Sequence, residues 1–325
     1  MRIMPPAAPS PPNIADAPPL VSVVVPTRNR AAMLRRALDS VLAQTCRDFE
    51  VIVVDDASSD DTLQQLARHP DRRIRSLASD APGGAPRARN RGIAAARGCY
   101  VAFLDDDDEW LPQKLEAQLD VFSRGSSRLG LVHGGSMVVA AASGRTVHTV
   151  VPTPGLAVRP ADFLGEITFT TSVVMIRRQC FDEVGVFDET LAGAQDRDLW
   201  IRLAGAFEFD AVPQVLMRRY VHGAQITTSL PAKIRAKQQI IAKYARELRA
   251  QPRQLAQHQW RLGILLCVAG DRAAGRRALC ASIAARPWQK SAWRDLLTSF
   301  ASVARCRAVL TSRRLEAIDG VLLYY

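Results

Sequence analysis

The feature that most constrains the fold is a set of short apolar, largely β-branched runs, each ending abruptly in polar residues. Val21-Ser22-Val23-Val24-Val25 gives way to Pro26-Thr27-Arg28-Asn29, and Glu50-Val51-Ile52-Val53-Val54 to Asp55-Asp56-Ala57-Ser58-Ser59. Tyr100-Val101-Ala102-Phe103-Leu104 runs straight into four consecutive aspartates, Asp105 to Asp108. Runs without polar alternation read as strands buried on both faces of a parallel sheet. Between them, Ala31 to Gln44 carries Met33, Leu34, Ala37, Leu38, Val41 and Leu42 at helical spacing. Asp61 to Arg68 reads as a short helix and Arg73 to Ala78 as another strand. Pro86 to Arg97 reads as a helix with proline near its start and Gly98 as its stop. Strands alternating with helices of about 10–15 residues imply right-handed βαβ units and an α/β sheet.

Further along, Leu129 to Ala140 and Thr170 to Ile176 read as strands, Asp196 to Ala204 as a helix and Phe207 to Tyr220 as extended chain. From Ala232 onward the pattern is helical, broken at Gly270-Asp271 and Arg286-Pro287. The expected division is a Pro/Ala-rich disordered leader over 1–19, an α/β domain over 20–230 and a basic helical region over 231–325. From Pro231 to Tyr325 there are 18 Lys/Arg against 5 Asp/Glu, a net of +13, whereas the rest of the chain nets −2. Such a patch favours phosphate-rich partners. A nucleic-acid-binding role is not expected, because aromatics make up only 6% of residues and no recognised binding motif accompanies the charge.

The six cysteines are far apart, with no CxxC pair and no zinc-type spacing, so a disulfide framework is not expected and a reducing cytoplasm fits. No apolar run reaches the ~18 residues of a membrane span, and the proline-rich start lacks the apolar core of a signal peptide.

In open α/β sheets, ligands bind beyond the carboxyl ends of the strands. Four carboxylates at one such end repel unless a cation or solvent intervenes. Oxygen ligands without His or Cys select a hard ion, Mg²⁺ or Mn²⁺, completed by substrate phosphates. A solvated acidic turn is the bland alternative. The absence of GxGxxG after the first strand and of GxxxxGK[ST] anywhere disfavours a dinucleotide enzyme and a P-loop NTPase.

Four segments together carry a resemblance: VSVVVPTRNR (21–30), VIVVDDASSDDT (51–62), GGAPRARNRGIAAARGCYVAFLDDDDEW (83–110) and AGAQDRDLWIRLA (192–204). In this order and spacing the chain, from residue 20 to about 228, resembles family 2 glycosyltransferases of the GT-A fold. The resemblance implies a mixed sheet flanked by helices, and a donor site for a nucleoside-diphosphate sugar. Pro26, Thr27 and Asn29 would line the nucleotide pocket, and Asp56 would accept a hydrogen bond from a uracil N–H. A helix N-cap is the alternative for the Asp55-Asp56 pair, more so for Asp55 than for Asp56. Arg87 and Arg89 would approach the diphosphate from a helix start, where the dipole also favours anions; a solvated helix face is their alternative.

Asp105-Asp106-Asp107 occupies the family's DxD position, with Asp105 and Asp106 at the nucleotide sugar and Asp107 on the metal. Asp108 and Glu109 would act from outside that set. His222 matches a position reaching the metal or diphosphate, although a lone histidine is commonly structural. Asp196 matches the catalytic base. Here the chain departs from the family, carrying Gln195-Asp196 where Glu-Asp is usual.

The implied reaction is an inverting transfer to a glycan or lipid-linked acceptor in cell-surface polysaccharide synthesis. It would take place in the cytoplasm, with a peripheral contact to anionic membrane through the basic third. A catalytically silent sugar-nucleotide-binding scaffold is the alternative that Gln195 raises. Residues 258–286 resemble one tetratricopeptide-like helical hairpin; one copy does not establish a repeat array, and a helical cap on the catalytic domain is expected over an independent partner-binding module.

Overall fold

The computed structural model describes residues 17–165, 169–221, 229–300, 308, 315–318 and 321–324. Most of the expected leader, and His222, lie outside the described residues.

The first half alternates as the apolar runs imply: β1 (Val21–Thr27), α1 (Ala31–Leu42), β2 (Phe49–Asp55), α2 (Thr62–Ala67), β3 (Ile74–Ala78), α3 (Gly84–Ala95) and β4 (Tyr100–Phe103). The second half adds β5 (Asp108–Trp110), α4 (Lys114–Arg124), β6 (Leu129–Ala140), β7 (Thr146–Val150), α5 (Pro160–Phe163), β8 (Met175–Arg177), α6 (Cys180–Val184), α7 (Gln195–Ala206) and β9 (Glu208–Val221). The main sheet runs in the order β3-β2-β1-β4-β8-β6-β9-β5, with β7 on β6. β1 to β4 pair in parallel; β8 is antiparallel to β4 and β6, and β5 is antiparallel to β9. The sheet is therefore mixed, with helices flanking it.

β1 and β2 are buried along their whole length. α3 crosses β1 so closely that a Cβ on Gly92 would lie 2.2 Å from Val24 Cγ1. Glycine is required there by contact, and the approach fixes where α3 presents Arg89. The expected strand over Thr170 to Ile176 is instead a 3-10 turn, Thr171–Val173, leading into β8. The turn is held because the Trp110 indole donates to the Ser172 carbonyl at 2.7 Å, and the Asp105 N–H donates to Ser172 Oγ at 3.1 Å.

Beyond residue 229 come α8 (Leu230–Lys243), α9 (Ala245–Arg249), α10 (Pro252–Ala269), α11 (Arg272–Ala285) and α12 (Lys290–Thr298). Helices do not account for all of it: β10 (Leu315–Ile318) and β11 (Val321–Tyr324) pair antiparallel. Ile240, Tyr244 and Leu248 join the same apolar core as the sheet. Polar ties reinforce this docking. Lys243 Nζ lies 2.5 Å from Asp198 Oδ1 and 2.6 Å from Asp188 Oδ2, and Tyr244 Oη donates to Asp198 at 2.7 Å. α10 and α11 meet in a tight hairpin at Gly270 (φ 101°), where the side chain of Asp271 accepts from Ala274 N–H at 2.9 Å. Among the described cysteines, Cys46, Cys99, Cys180, Cys267 and Cys280 are not joined in disulfides.

His258 of α10 is 3% exposed, with Nε2 2.7 Å from the Leu164 carbonyl. Burial, then the neighbouring charges of Lys237 and Arg197, hold its pKa down to about 3 from 6.5. A histidine kept neutral in the fold contributes stability that is present above its unfolded pKa and is lost as pH falls toward the folded one. At about 1.4 kcal/mol per pKa unit, acidification from pH 6.5 to 4.5 removes roughly 2–3 kcal/mol through this residue. We expect His258→Gln to flatten that part of the stability–pH curve in urea titrations. A curve of unchanged slope would show that protonation of His258 is not what destabilises the fold.

Candidate active site at the carboxyl ends of the parallel strands

Because β1, β2 and β4 run parallel, their carboxyl ends reach one edge, and a cavity of about 1180 Å³ opens there. Pro26 and Thr27 line it at the end of β1, Arg28 and Arg30 just after it, Asp56 after β2, Arg89 from α3 and Asp105 to Asp108 after β4. Gln195 and Asp196 line it from the start of α7.

Of the residues expected here, Asn29 and Arg87 are not brought into the cavity lining. Asn29 sits at φ 53°, a left-handed conformation that asparagine tolerates better than most residues. Its Oδ1 accepts from Ser59 N–H at 2.7 Å, and its own N–H donates to Ser58 Oγ at 2.8 Å. It therefore ties the loop after β1 to the loop after β2. Arg87 is exposed on α3. Asp55 accepts from Ser58 N–H at 3.1 Å, and Asp60, not Asp55, serves the start of α2 by accepting from Thr62 N–H at 3.1 Å.

Asp56 is 5% exposed, and its two oxygens accept from Gly83 and Gly84 N–H at 2.7 and 2.8 Å. The anion at the start of α3 is thus this carboxylate, which anchors the loop that begins the helix. Each carboxylate oxygen retains a second lone pair for another donor. Arg89 is buried, with Nη2 2.5 Å from Asp105 Oδ1.

The four aspartates divide by direction. Asp106 turns toward β1: Thr27 Oγ1 donates to it at 2.8 Å and Arg30 Nη1 at 2.9 Å. Burial pushes its pKa up to about 6, with Asp107 adding to the rise while Arg30 and Thr27 oppose it. Asp105, Asp107 and Asp108 converge, with one oxygen from each lying within 4.8 Å of the others. Asp108 is the first residue of β5 and 3% exposed, and its Oδ1 is buried without a hydrogen-bond partner. Burial, then repulsion from Asp107 and Asp105, pushes its pKa well up. Three convergent carboxylates, one with an orphaned buried oxygen, match the hard-oxygen donor set of Mg²⁺ or Mn²⁺. The three carboxylates that could together hold a cation are thus Asp105, Asp107 and Asp108, while Asp106 faces Thr27 and Arg30.

Asp196 is half-buried at the second position of α7, and its Oδ1 accepts from Arg197 N–H at 2.8 Å. Leu199, Trp200 and Leu203 on the same helix are fully buried. Each such side chain contributes roughly 1.5–3 kcal/mol, which holds the first turn in place. The turn into α7 passes through Ala194 at φ 60°, a conformation costly for a residue with a Cβ. Gln195 Nε2 donates to the Leu191 carbonyl at 2.9 Å across this turn. A glutamate in the same rotamer would set a carboxylate against that carbonyl, so the amide suits the bend.

Two contributors carried no sequence signal. Arg30 bridges Asp106 and Asp107 (2.9 and 3.3 Å). Ser172, from a distant turn, positions the Asp105 backbone.

The sequence model of glycosyl transferase family 2 matches residues 22–185, half of the chain. An uncharacterized glycosyltransferase of Rickettsia bellii is 32% identical over 221 residues, which are 66% of this chain and 31% of that protein. This chain thus spans about a third of that relative's length. An Escherichia coli protein named UDP-Glc:alpha-D-GlcNAc-diphosphoundecaprenol beta-1,3-glucosyltransferase is 39% identical over 102 residues, 31% of this chain and 40% of its own length. Among solved structures, S. aureus TarS 1–349 in complex with UDP-GlcNAc superposes with a TM-score of 0.61 at 18% identity, covering 94% of this chain and 96% of that one. A likeness at this identity speaks for the fold alone.

Proposed function

The chain belongs to glycosyl transferase family 2, and from that premise we propose that it moves a sugar from a UDP-sugar to an acceptor hydroxyl with inversion at the anomeric carbon. The observation that carries this reading is that Asp105, Asp107, Asp108 and Asp196 line a single cavity.

In the proposed reaction Asp196 takes the proton of the acceptor hydroxyl. The acceptor oxygen bonds to the anomeric carbon from the face opposite the nucleotide, and the sugar–phosphate bond breaks with its electron pair leaving on the nucleoside diphosphate. One displacement inverts the centre. Asp105, Asp107 and Asp108 would hold Mg²⁺ or Mn²⁺, which supplies positive charge for the leaving diphosphate. Asp56 offers its free lone pairs to the base N–H, while Pro26 and Thr27 shape the nucleotide pocket. Arg89 sets Asp105, and Asp106 with Arg30 sets the turn behind it. Asn29 contributes by shaping the loops, and His222 joins the metal site on family resemblance alone.

The acceptor we propose is a glycan or a lipid-linked saccharide, the latter being what the name of the E. coli relative specifies for that protein. Among the described residues no helix is long and apolar enough to cross a membrane. A peripheral contact with the inner, anionic face of the membrane accords with the +13 of residues 231–325 and with the exposed Trp288, Trp293, Leu297 and Phe300.

A panel of UDP- and GDP-sugars, incubated with Mn²⁺, Mg²⁺ or chelator and with saccharide and lipid-diphosphate acceptors, tests the proposal. We expect metal-dependent release of UDP and a product whose anomeric proton shows inverted configuration by NMR. Tight UDP binding with no release from any donor would instead favour the silent scaffold.

A further inference from the structure

The turn that carries the aspartates is gripped from two sides. At its start the Asp105 N–H donates to Ser172 Oγ, and further on the Asp107 backbone carbonyl accepts from Arg36 Nη2 at 2.7 Å. Arg36 belongs to α1, which packs along β5. One helical turn beyond it, Ser40 Oγ accepts from Trp110 N–H at 3.1 Å, so α1 and β5 are tied on both sides of this contact.

Arg36 is itself clamped. Its guanidinium carbon stands 3.9 Å from the centroid of the Tyr220 ring, a stacking contact that suits a planar cation. Tyr220 lies on β9, and its Oη donates to Glu109 Oε2 at 2.6 Å, while Glu109 Oε1 accepts from Arg218 Nη1 at 2.6 Å. Glu109 and Arg218 face each other across the β5–β9 ladder. Both oxygens of Glu109 are thus engaged in fixing β9, and through Tyr220 in fixing the plane of Arg36. Arg36 Nε is buried without a hydrogen-bond partner. Buried donors are normally satisfied, so the orientation of this group is set by the ring and the carbonyl at its other end.

That carbonyl belongs to a residue whose side chain is pulled two ways. One oxygen of Asp107 lies within 4.8 Å of those of Asp105 and Asp108, a cluster that repels itself until a cation enters. Arg30 Nη1, 3.3 Å from Asp107 Oδ2, draws the carboxylate toward the β1 side. A bond to the peptide carbonyl fixes the residue without taking up a carboxylate oxygen. None of Arg36, Glu109 and Tyr220 lines the cavity, so none of them meets substrate.

We infer that Arg36, stacked on Tyr220 and latched through it to Glu109, is a positioning residue that holds the Asp107 peptide so that its carboxylate faces a bound cation. The inference rests on the metal site proposed above and deepens it by naming what keeps one ligand in register.

The test is Mn²⁺ binding to the full chain with UDP present, read as loss of the free Mn²⁺ signal in electron paramagnetic resonance, beside urea midpoints. Removing a group that supports a metal ligand lowers metal affinity about 10–100-fold. Arg36→Met keeps the apolar stem and loses the donor; it is expected to bind Mn²⁺ at least ~10-fold more weakly, while UDP affinity in chelator stays within about twofold. Tyr220→Leu takes away the ring and should weaken Mn²⁺ by a similar factor, whereas Tyr220→Phe, which restores the ring, should stay within about threefold of wild type. Because both residues act through one carbonyl, the double variant should fall no more than about threefold below Arg36→Met alone. Tyr220→Leu leaves the bond from Arg36 to the carbonyl available, so it decides the question where Arg36→Met fails to fold.

Wild-type Mn²⁺ affinity in Arg36→Met at a lowered urea midpoint would make the clamp a matter of stability alone and overturn the inference. Losses that multiply in the double variant would overturn it too. A wild type without any Mn²⁺ binding would sink the metal site, and the role of Arg36 with it. A metal response that survives both single variants would leave the metal site standing without Arg36.

Discussion

Asp196→Asn is expected to lower sugar transfer at least ~10²-fold, the scale of a general base, while nucleotide affinity stays within about twofold. The substitution separates geometry from proton chemistry. An asparagine oxygen can still accept the bond that Arg197 N–H now gives at 2.8 Å, so the first turn of α7 keeps its local tie. The burial of Leu199, Trp200 and Leu203 that fixes the helix is untouched. What disappears is the ability to take a proton. Gln195 cannot substitute, being an amide engaged with the Leu191 carbonyl. Single-turnover transfer measured beside UDP titration checks both halves of the expectation. Transfer at the wild-type rate would remove Asp196 from the base role and shift attention to a group the acceptor itself brings.

The parallel core was legible because burial on both faces leaves a simple trace: Val21 to Val25 and Val51 to Val54 carry almost no polar residue, and they became β1 and β2. The carboxyl-end motifs followed from the same logic, since a buried strand has to surface where polar residues begin. α4 was not legible, and for a physical reason. Its buried stripe is Lys114, Leu115, Gln118 and Phe122, half of it polar. Gln118 Nε2 donates to the Val132 and Val173 carbonyls at 2.8 and 2.9 Å, and Lys114 sits against the Trp110 ring with Nζ bonded to Gln118. Interior hydrogen bonding lets polar side chains occupy core positions, which erases the apolar period that sequence reading depends on.

The division of labour among the four aspartates was hidden for a related reason. Sequence places them side by side. The chain, however, leaves β4 after Phe103 and enters β5 at Asp108, so neighbours point to different partners. Nothing in the residue order says that Thr27 and Arg30 claim Asp106. The basic C-terminal third was legible only as excess charge; that α8 and α10 bring Lys233, Lys237 and Arg261 to the cavity depends on docking through Ile240 and Tyr244.

That division makes the last expectation specific. Asp107→Ala should abolish Mn²⁺-dependent tightening of UDP binding, whereas Asp106→Ala should act mainly on stability. Asp107 converges with Asp105 and Asp108 within 4.8 Å, and its removal takes one anionic oxygen from a three-oxygen donor set. Losing a group that merely supports a metal ligand costs about 10–100-fold, so losing the ligand itself should cost at least that much. Asp106 instead accepts from Thr27 and Arg30, and its deletion takes that acceptor from Thr27 Oγ1 beside a buried turn, at about 1–3 kcal/mol, while Arg30 keeps Asp107. Calorimetric titration of UDP with and without Mn²⁺, paired with urea midpoints for both variants, separates the two effects. Retained metal-dependent affinity in Asp107→Ala would remove it from the metal site. If Asp106→Ala alone lost the metal response at unchanged stability, the cation would have to sit on the β1 side of the turn, and the convergence of 105, 107 and 108 would need another explanation.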